Sequence, residues 1–376
     1  MHPNLSRVVR RLATVAVALT LGASALGSAA PSVAARPPKV VASAAVPGGG
    51  YGSDASAVVM PGGGVVVTYT SAGLTRYAVG PHRMARTGTS RVATDRRATG
   101  APILLAHPSG RYVYLVWDGK VQVFDASPRT PRLVRTLGRG AGAASFAPDG
   151  RRLYLSDGVR ITVLGTRHGA RPTKGVTVEE EAYPLVVSSD GSTLVAGGRA
   201  ADGKATVSVY ALPRVGAPTL VRTGEISVPG WPDPWPTGEW VTAVDDLVAP
   251  GAQAAYVSVG TWGYGDTPDE ALLRVRLDDL STVALPDQGA GRTPFLQDVS
   301  ADGKRVYVTY GGTTDEDQHV TRSLGWTGPR LATLNRVGPL GDVVTTAVSK
   351  AGATRGLVYV MTTRAGHLRL SAVDVR

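Results

Sequence analysis

Ser145-Phe146-Ala147-Pro148-Asp149-Gly150-Arg151-Arg152-Leu153-Tyr154-Leu155-Ser156 is the stretch whose reading decides the fold. A short apolar run, Ala143 to Phe146, meets four turn-forming residues and resumes as a second run, Arg151 to Leu155. Pro presets φ near the value a tight turn needs, Asp hydrogen-bonds its own backbone, and Gly tolerates positive φ. The spacing therefore predicts an antiparallel hairpin. A third run, Arg160 to Leu164, and a fourth, Gly175 to Val178, complete four short strands in one unit.

The same cadence recurs along the chain. His107-Pro108-Ser109-Gly110 feeds Arg111 to Val116, and Ser188-Ser189-Asp190-Gly191 feeds Ser192 to Ala196. Ala249-Pro250-Gly251, Ser300-Ala301-Asp302-Gly303 and Ser349-Lys350-Ala351-Gly352 continue it, and Met60-Pro61-Gly62-Gly63 opens it. With the unit at Gly150, that makes seven. Forty residues separate Gly110 from Gly150 and forty-one separate Gly150 from Gly191, close to the length of four strands and their turns. Later units are longer. The last unit stops after a third strand, His367 to Val373, while Lys39 to Val46 stands unassigned before the first unit begins at Ala55. Pairing the two would cover raw sheet edges that otherwise recruit other strands.

The units around Gly150 and Gly303, the latter Val299-Ser-Ala-Asp-Gly-Lys-Arg-Val-Tyr-Val-Thr309, resemble the YVTN-type repeats of the lactonase-like propeller superfamily, which are similar to WD-repeat blades. The resemblance spans residues 36–376. It implies an all-β fold, a seven-bladed β-propeller with four-stranded antiparallel blades, closed by the N-terminal strand completing the last blade. WD signatures differ: Trp117-Asp118 follows the second strand of its unit. No lactonase catalytic residue has a counterpart here, so that activity is not carried over.

Arg7, Arg10 and Arg11 precede an apolar stretch, Leu12 to Leu26, and small residues end at Val33-Ala34-Ala35. This order predicts a signal peptide over 1–35, the propeller over 36–376, and a secreted, extracellular or cell-wall-associated protein. No later run is long enough for a membrane span. Cysteine is absent, which excludes disulfides, thiolate metal sites and a cysteine nucleophile. Losing the leader lowers the formal charge from +11 to +8, and the basic residues look singly scattered, as on a solvated surface or one loosely attracted to anionic polymer. No nucleic-acid motif accompanies them, so no specific nucleic-acid partner is expected.

Two patterns imitate nucleotide sites. Gly198 to Lys204 has phosphate-loop spacing, but Ala205 replaces the magnesium-binding hydroxyl and a strand follows. Gly138-Arg-Gly140-Ala-Gly142 lacks a following helix and reads as a connector. The histidines past the leader, His82, His107, His168, His319 and His367, fall in different units, and no nucleophile elbow is present. His107 reads as a turn residue. Glu179-Glu180-Glu181 follows the third unit's fourth strand and precedes the fourth unit's first, which would bring it to the same face as the longer insertions of the fifth and sixth units, near the channel mouth; it reads as a solvated charge run.

Three insertions remain. One carries Trp231, Asp233, Trp235, Glu239 and Trp240; the second Trp262, Tyr264, Asp266 and Asp269; the third Asp315, Glu316, Asp317 and His319. They belong to connections expected on one face of the fifth and sixth units, and they concentrate aromatic rings and carboxylates in a basic chain. Rings beside acids suit a sugar, a cation or the anchor of a partner protein. The ligand-binding expectation rests on Trp231, Trp235, Trp240, Trp262, Tyr264, Asp266, Asp315 and Asp317, with Asp315, Asp317 and His319 as candidate ligands for a calcium ion. No other cofactor and no catalytic residue are expected. The leading expectation is a monomeric, non-enzymatic propeller binding a protein or a cell-envelope glycan. The rivals are a metal- or carboxylate-assisted hydrolase and a cell-envelope scaffold; a third use of the insertions is simply to stiffen one another.

Overall fold

Period-two alternation divides each middle strand between two neighbours, and that division organises the molecule. In Tyr112–Trp117 the side chains of Val113 and Leu115 join one apolar cluster, and those of Tyr114 and Val116 join another. Both faces of the strand are buried, which is why it reads as a continuous apolar run. The computed structural model describes residues 39–48, 55–92, 102–117, 120–137, 141–166, 175–214, 216–228, 241–249, 251, 253–262, 270–284, 292–299, 305–312, 320–327, 330–336, 342–364 and 366–374.

Among the described residues, strands form seven four-stranded antiparallel sheets. After β1 (Lys39–Val46), the first sheet holds β2 (Ser56–Val59), β3 (Val65–Thr70), β4 (Gly73–Gly80) and β5 (Arg83–Ser90). The second holds β6 (Ile103–Ala106), β7 (Tyr112–Trp117), β8 (Lys120–Asp125) and β9 (Arg132–Leu137). The third holds β10 (Ala143–Phe146), β11 (Arg152–Ser156), β12 (Gly158–Gly165) and β13 (Val176–Ala182). The fourth holds β14 (Leu185–Val187), β15 (Thr193–Arg199), β16 (Ala205–Ala211) and β17 (Thr219–Glu225). The fifth holds β18 (Val241–Val248), β19 (Ala254–Trp262), β20 (Glu270–Arg276) and β21 (Thr282–Ala284). The sixth holds β22 (Arg292–Val299), β23 (Arg305–Gly312), β24 (Val320–Thr327) and β25 (Arg330–Arg336). The seventh joins β26 (Asp342–Val348), β27 (Leu357–Arg364) and β28 (His367–Asp374) to β1, which pairs antiparallel with β28 from Lys39↔Asp374 to Val46↔Leu368.

Apolar clusters fill the spaces between successive sheets. Leu153 and Leu155 of β11 pack on the second sheet, while Tyr154 of the same strand packs on Leu185 and Leu194 of the fourth. Tyr307 of the sixth sheet meets Val358 and Val360 of the seventh. Tyr359 and Met361 of the seventh lie in one cluster with Ala57, Val66 and Tyr77 of the first. Each fully buried aliphatic side chain contributes about 1.5–3 kcal/mol. No sheet could bury both of its faces alone.

The hairpins repeat one hydrogen-bond pattern. His107 N–H bonds Tyr112 O and Gly110 N–H bonds His107 O; Ala147 with Arg152 and Ser188 with Thr193 repeat it. Gly110, Gly150 and Gly191 close these turns at φ of 73°, 68° and 73°, the left-handed region that an L side chain resists.

Candidate functional site

Each sheet has two ends of different character. At the first, the turns between first and second strands lie against one another. A Cβ on Gly150 would sit 2.9 Å from His107 Cε1, one on Gly191 would meet Pro148, and one on Gly110 would meet the Pro61 carbonyl. The seventh sheet's turn lies against the first's, with Gly352 beside the Gly62 carbonyl. Lys350 joins the sixth sheet at the same end, its Nζ 2.7 Å from Asp298 Oδ1.

His107 is the most structured side chain of this end, and nothing in the sequence singled it out beyond its turn position. Its Nδ1 accepts a hydrogen bond from Ser109 N–H at 3.1 Å, so Nε2–H donates to the Gly150 carbonyl at 2.8 Å. The ring stacks on Tyr114 at 5.9 Å and meets Phe146 edge-on at 5.3 Å. Burial is the largest influence on the imidazole and lowers its pKa; the Gly150 bond opposes it and Arg135 adds to it. A neutral ring wedged between two sheets is structural.

At the other end lie the strand residues from which the insertions depart. Register pairs Val241 with Trp262 and Gly260 with Glu270, so the segment before β18 and the segment between β19 and β20 both meet the fifth sheet there. Arg292↔Gly312 and Tyr310↔Val320 set the β23–β24 connection at the corresponding end of the sixth sheet. β18 and β22 are neighbours. Trp231, Trp235, Trp240, Tyr264, Asp266, Asp315, Asp317 and His319 lie outside the described residues; Trp262 is the last residue of β19. Among the described residues no three His, Asp or Glu side chains are grouped to hold a metal ion.

Two sequence readings meet the structure here. Gly198 to Lys204 forms the β15–β16 hairpin, in which Lys204 Nζ lies 2.9 Å from Glu225 Oε2 and Gly203 takes φ of 89°. Glu179, Glu180 and Glu181 do not form a connection. They lie inside β13, the last strand of the third sheet, where an irregular register between Gly158 and Arg160 extends the pairing to Ala182. On an outermost strand, alternation needs no apolar face, so a charge run carries no signal of its ending.

No protein-family model matches the sequence, and no curated protein matches it. Solved structures do. A chain of Kuenenia stuttgartiensis hydrazine synthase is similar over 85% of this chain and 95% of its own, with a TM-score of 0.61 at 15% identity. The β-propeller domain of Cps50 (Swd1) from Myceliophteria thermophila is similar over 90% of this chain and 100% of its own, with a TM-score of 0.60 at 12% identity. The C-terminal WD40 domain of Sif2 is similar over 91% and 99%, with a TM-score of 0.51 at 11% identity. At such identities the likeness speaks of fold. The chain has a β-propeller fold.

Proposed function

We propose that this protein is a secreted, non-enzymatic binding propeller that engages a carbohydrate or protein partner through the insertion end of its fifth and sixth sheets. In this reading the seven sheets are blades of one ring, closed where β1 completes the seventh. The β1–β28 pairing and the cluster shared by the seventh and first sheets support that closure. Residues 1–35, with Arg7, Arg10 and Arg11 ahead of an apolar stretch, act as the export signal.

One observation carries the site: strand register sets the roots of three insertions at corresponding ends of two neighbouring sheets. In this reading the three insertions share a surface, which would hold Trp231, Trp235, Trp240, Trp262 and Tyr264 with Asp266, Asp315 and Asp317. The rings stack on sugar faces or seat as anchors in a partner, and the carboxylates accept hydrogen bonds from hydroxyls or pair with cations.

The test is the triple variant W231A/W235A/W262A, assayed against a glycan panel and by pulldown from native envelope. Loss of retention in a variant that melts like the parent supports the site, and the arm that loses it distinguishes sugar from protein. Retention unchanged in both arms overturns it.

A further inference from the structure

The net charge of the chain has an address. Residues 55–137, the first two sheets and their connections, hold eleven Arg and Lys against three Asp. Residues 36–54 and 138–376 together hold twenty-six of each sign and cancel. The excess thus belongs to the one continuous segment that builds two adjacent sheets.

The gathering is on their outer strands. Arg83 and Arg86 are exposed on β5, the last strand of the first sheet, and Arg132 is exposed at the start of β9, the last strand of the second. Arg129 is exposed in the turn before β9, and that turn is fastened to β5: Thr87 Oγ1 donates to the Arg129 carbonyl at 2.7 Å. Arg76 lies beneath, its Nε bonded to the Ala126 carbonyl at 2.9 Å and one NH2 group to Thr87 Oγ1 at 3.1 Å. These bonds hold the two outer strands in a fixed relation.

Four other cations have carboxylate partners. Arg111 meets Asp125, Lys204 meets Asp202 and Glu225, Arg276 meets Asp278 and Asp279, and Lys350 meets Asp298. Among the described residues no carboxylate forms an ion pair with Arg83, Arg86, Arg129 or Arg132; Asp125, opposite Arg132 in the strand register, is held by Arg111. Guanidinium groups held near one another repel, a standing cost that an anion relieves. All four are Arg, whose planar fork matches phosphate oxygens in two-point contacts.

We propose that the perimeter of the first two sheets, from Arg83 and Arg86 across to Arg129 and Arg132, binds a flexible linear polyanion of the polyphosphate class. The outer strands of a propeller form its convex edge. A flexible chain wraps such an edge and reaches all four groups, whereas a flat bilayer touches it along a line. This surface is separate from the aromatic insertions, so either can fail without the other.

The test uses the full mature chain, medium-length inorganic polyphosphate as probe, and two variants of equal net charge. R83Q/R86Q/R129Q/R132Q removes the perimeter; R151Q/R214Q/R222Q/R355Q removes four exposed cations elsewhere. The first is expected to weaken binding by on the order of a hundredfold or more and the second by only a few-fold, with similar thermal melting for both. Parent binding is expected to fall about a hundredfold between roughly 50 and 200 mM salt. Equal losses in the two variants overturn the proposal, because net charge alone then governs binding. Binding to phosphatidylglycerol vesicles without binding to polyphosphate also overturns it, in favour of a membrane surface.

Discussion

The Thr354 hydroxyl donates a hydrogen bond to the Gly63 carbonyl, joining turns 291 residues apart in the chain. Ser349 Oγ lies 2.9 Å from the same hydroxyl, and Thr354 is buried. Gly63 takes φ of 73°, and a Cβ there would lie 2.2 Å from the Ala351 carbonyl oxygen. Thr354→Val is expected to lower unfolding free energy by about 1–2 kcal/mol, the cost of a lost buried bond with its partner stranded. Gly63→Ala should cost more, since it adds backbone strain to a clash. Urea titration reads both; parent-like midpoints would show that the two turns do not hold each other.

β1 is fastened to the first sheet as well as to β28. Tyr77 Oη donates to the Ala45 carbonyl at 3.1 Å, and Thr70 Oγ1 donates to the Pro47 carbonyl at 2.7 Å. Tyr77→Phe is expected to destabilise by about 1 kcal/mol. Deleting residues 36–48 should bare the β28 edge and produce concentration-dependent association, read by sedimentation. A monodisperse deletion variant with the parent's melting temperature would remove β1 from the stability account.

His107 makes stability depend on acid. Its folded pKa lies below the ordinary 6.5 because burial disfavours the charged ring. The unfolded chain therefore takes up the proton first as pH falls. The contribution is complete above about pH 6.5 and declines below it, until the folded-state ring is itself protonated. Denaturant midpoints at pH 7.5 and 5 should differ less in His107→Gln than in the parent. An identical difference in both would assign the acid sensitivity elsewhere.

Gly197 of β15 faces Val244 of β18 so closely that an added Cβ would lie 2.5 Å from Val244 Cγ1 and 2.7 Å from its Cβ. Neither atom is the tip of a flexible chain. Gly197→Ala should destabilise by about 1–3 kcal/mol, and Val244→Ala in the same chain should recover part of it. Calorimetric melting of the two single variants and the double variant checks the coupling. Additive losses would mean that the fourth and fifth sheets meet less tightly there.

The hairpins were legible because their causes are local. Gly150 needs positive φ, Asp149 can turn its carboxylate to the Arg151 N–H at 2.9 Å, and Leu153 to Leu155 form an unbroken apolar run. Glu179 to Glu181 were misread as a connection for the converse reason: an outer strand is specified by its neighbour's register rather than by its own pattern. The candidate site was legible only as a list of residues on insertions, since register joins Trp262 to Val241 and distance along the chain says nothing of it.

By itself the amino-acid order determined the strands, the turns that reverse them and the absence of thiol chemistry, all consequences of backbone dihedrals, side-chain alternation and composition. Tertiary structure alone decided that Gly63 lies against Thr354, that His107 bonds the turn of the next sheet, and that the Arg129 turn is fastened to the strand carrying Arg83 and Arg86. The reason is physical. Dihedral preference and alternation act over a few residues, whereas contact and Coulomb energies depend on distance in space, which exists only once the sheets have packed.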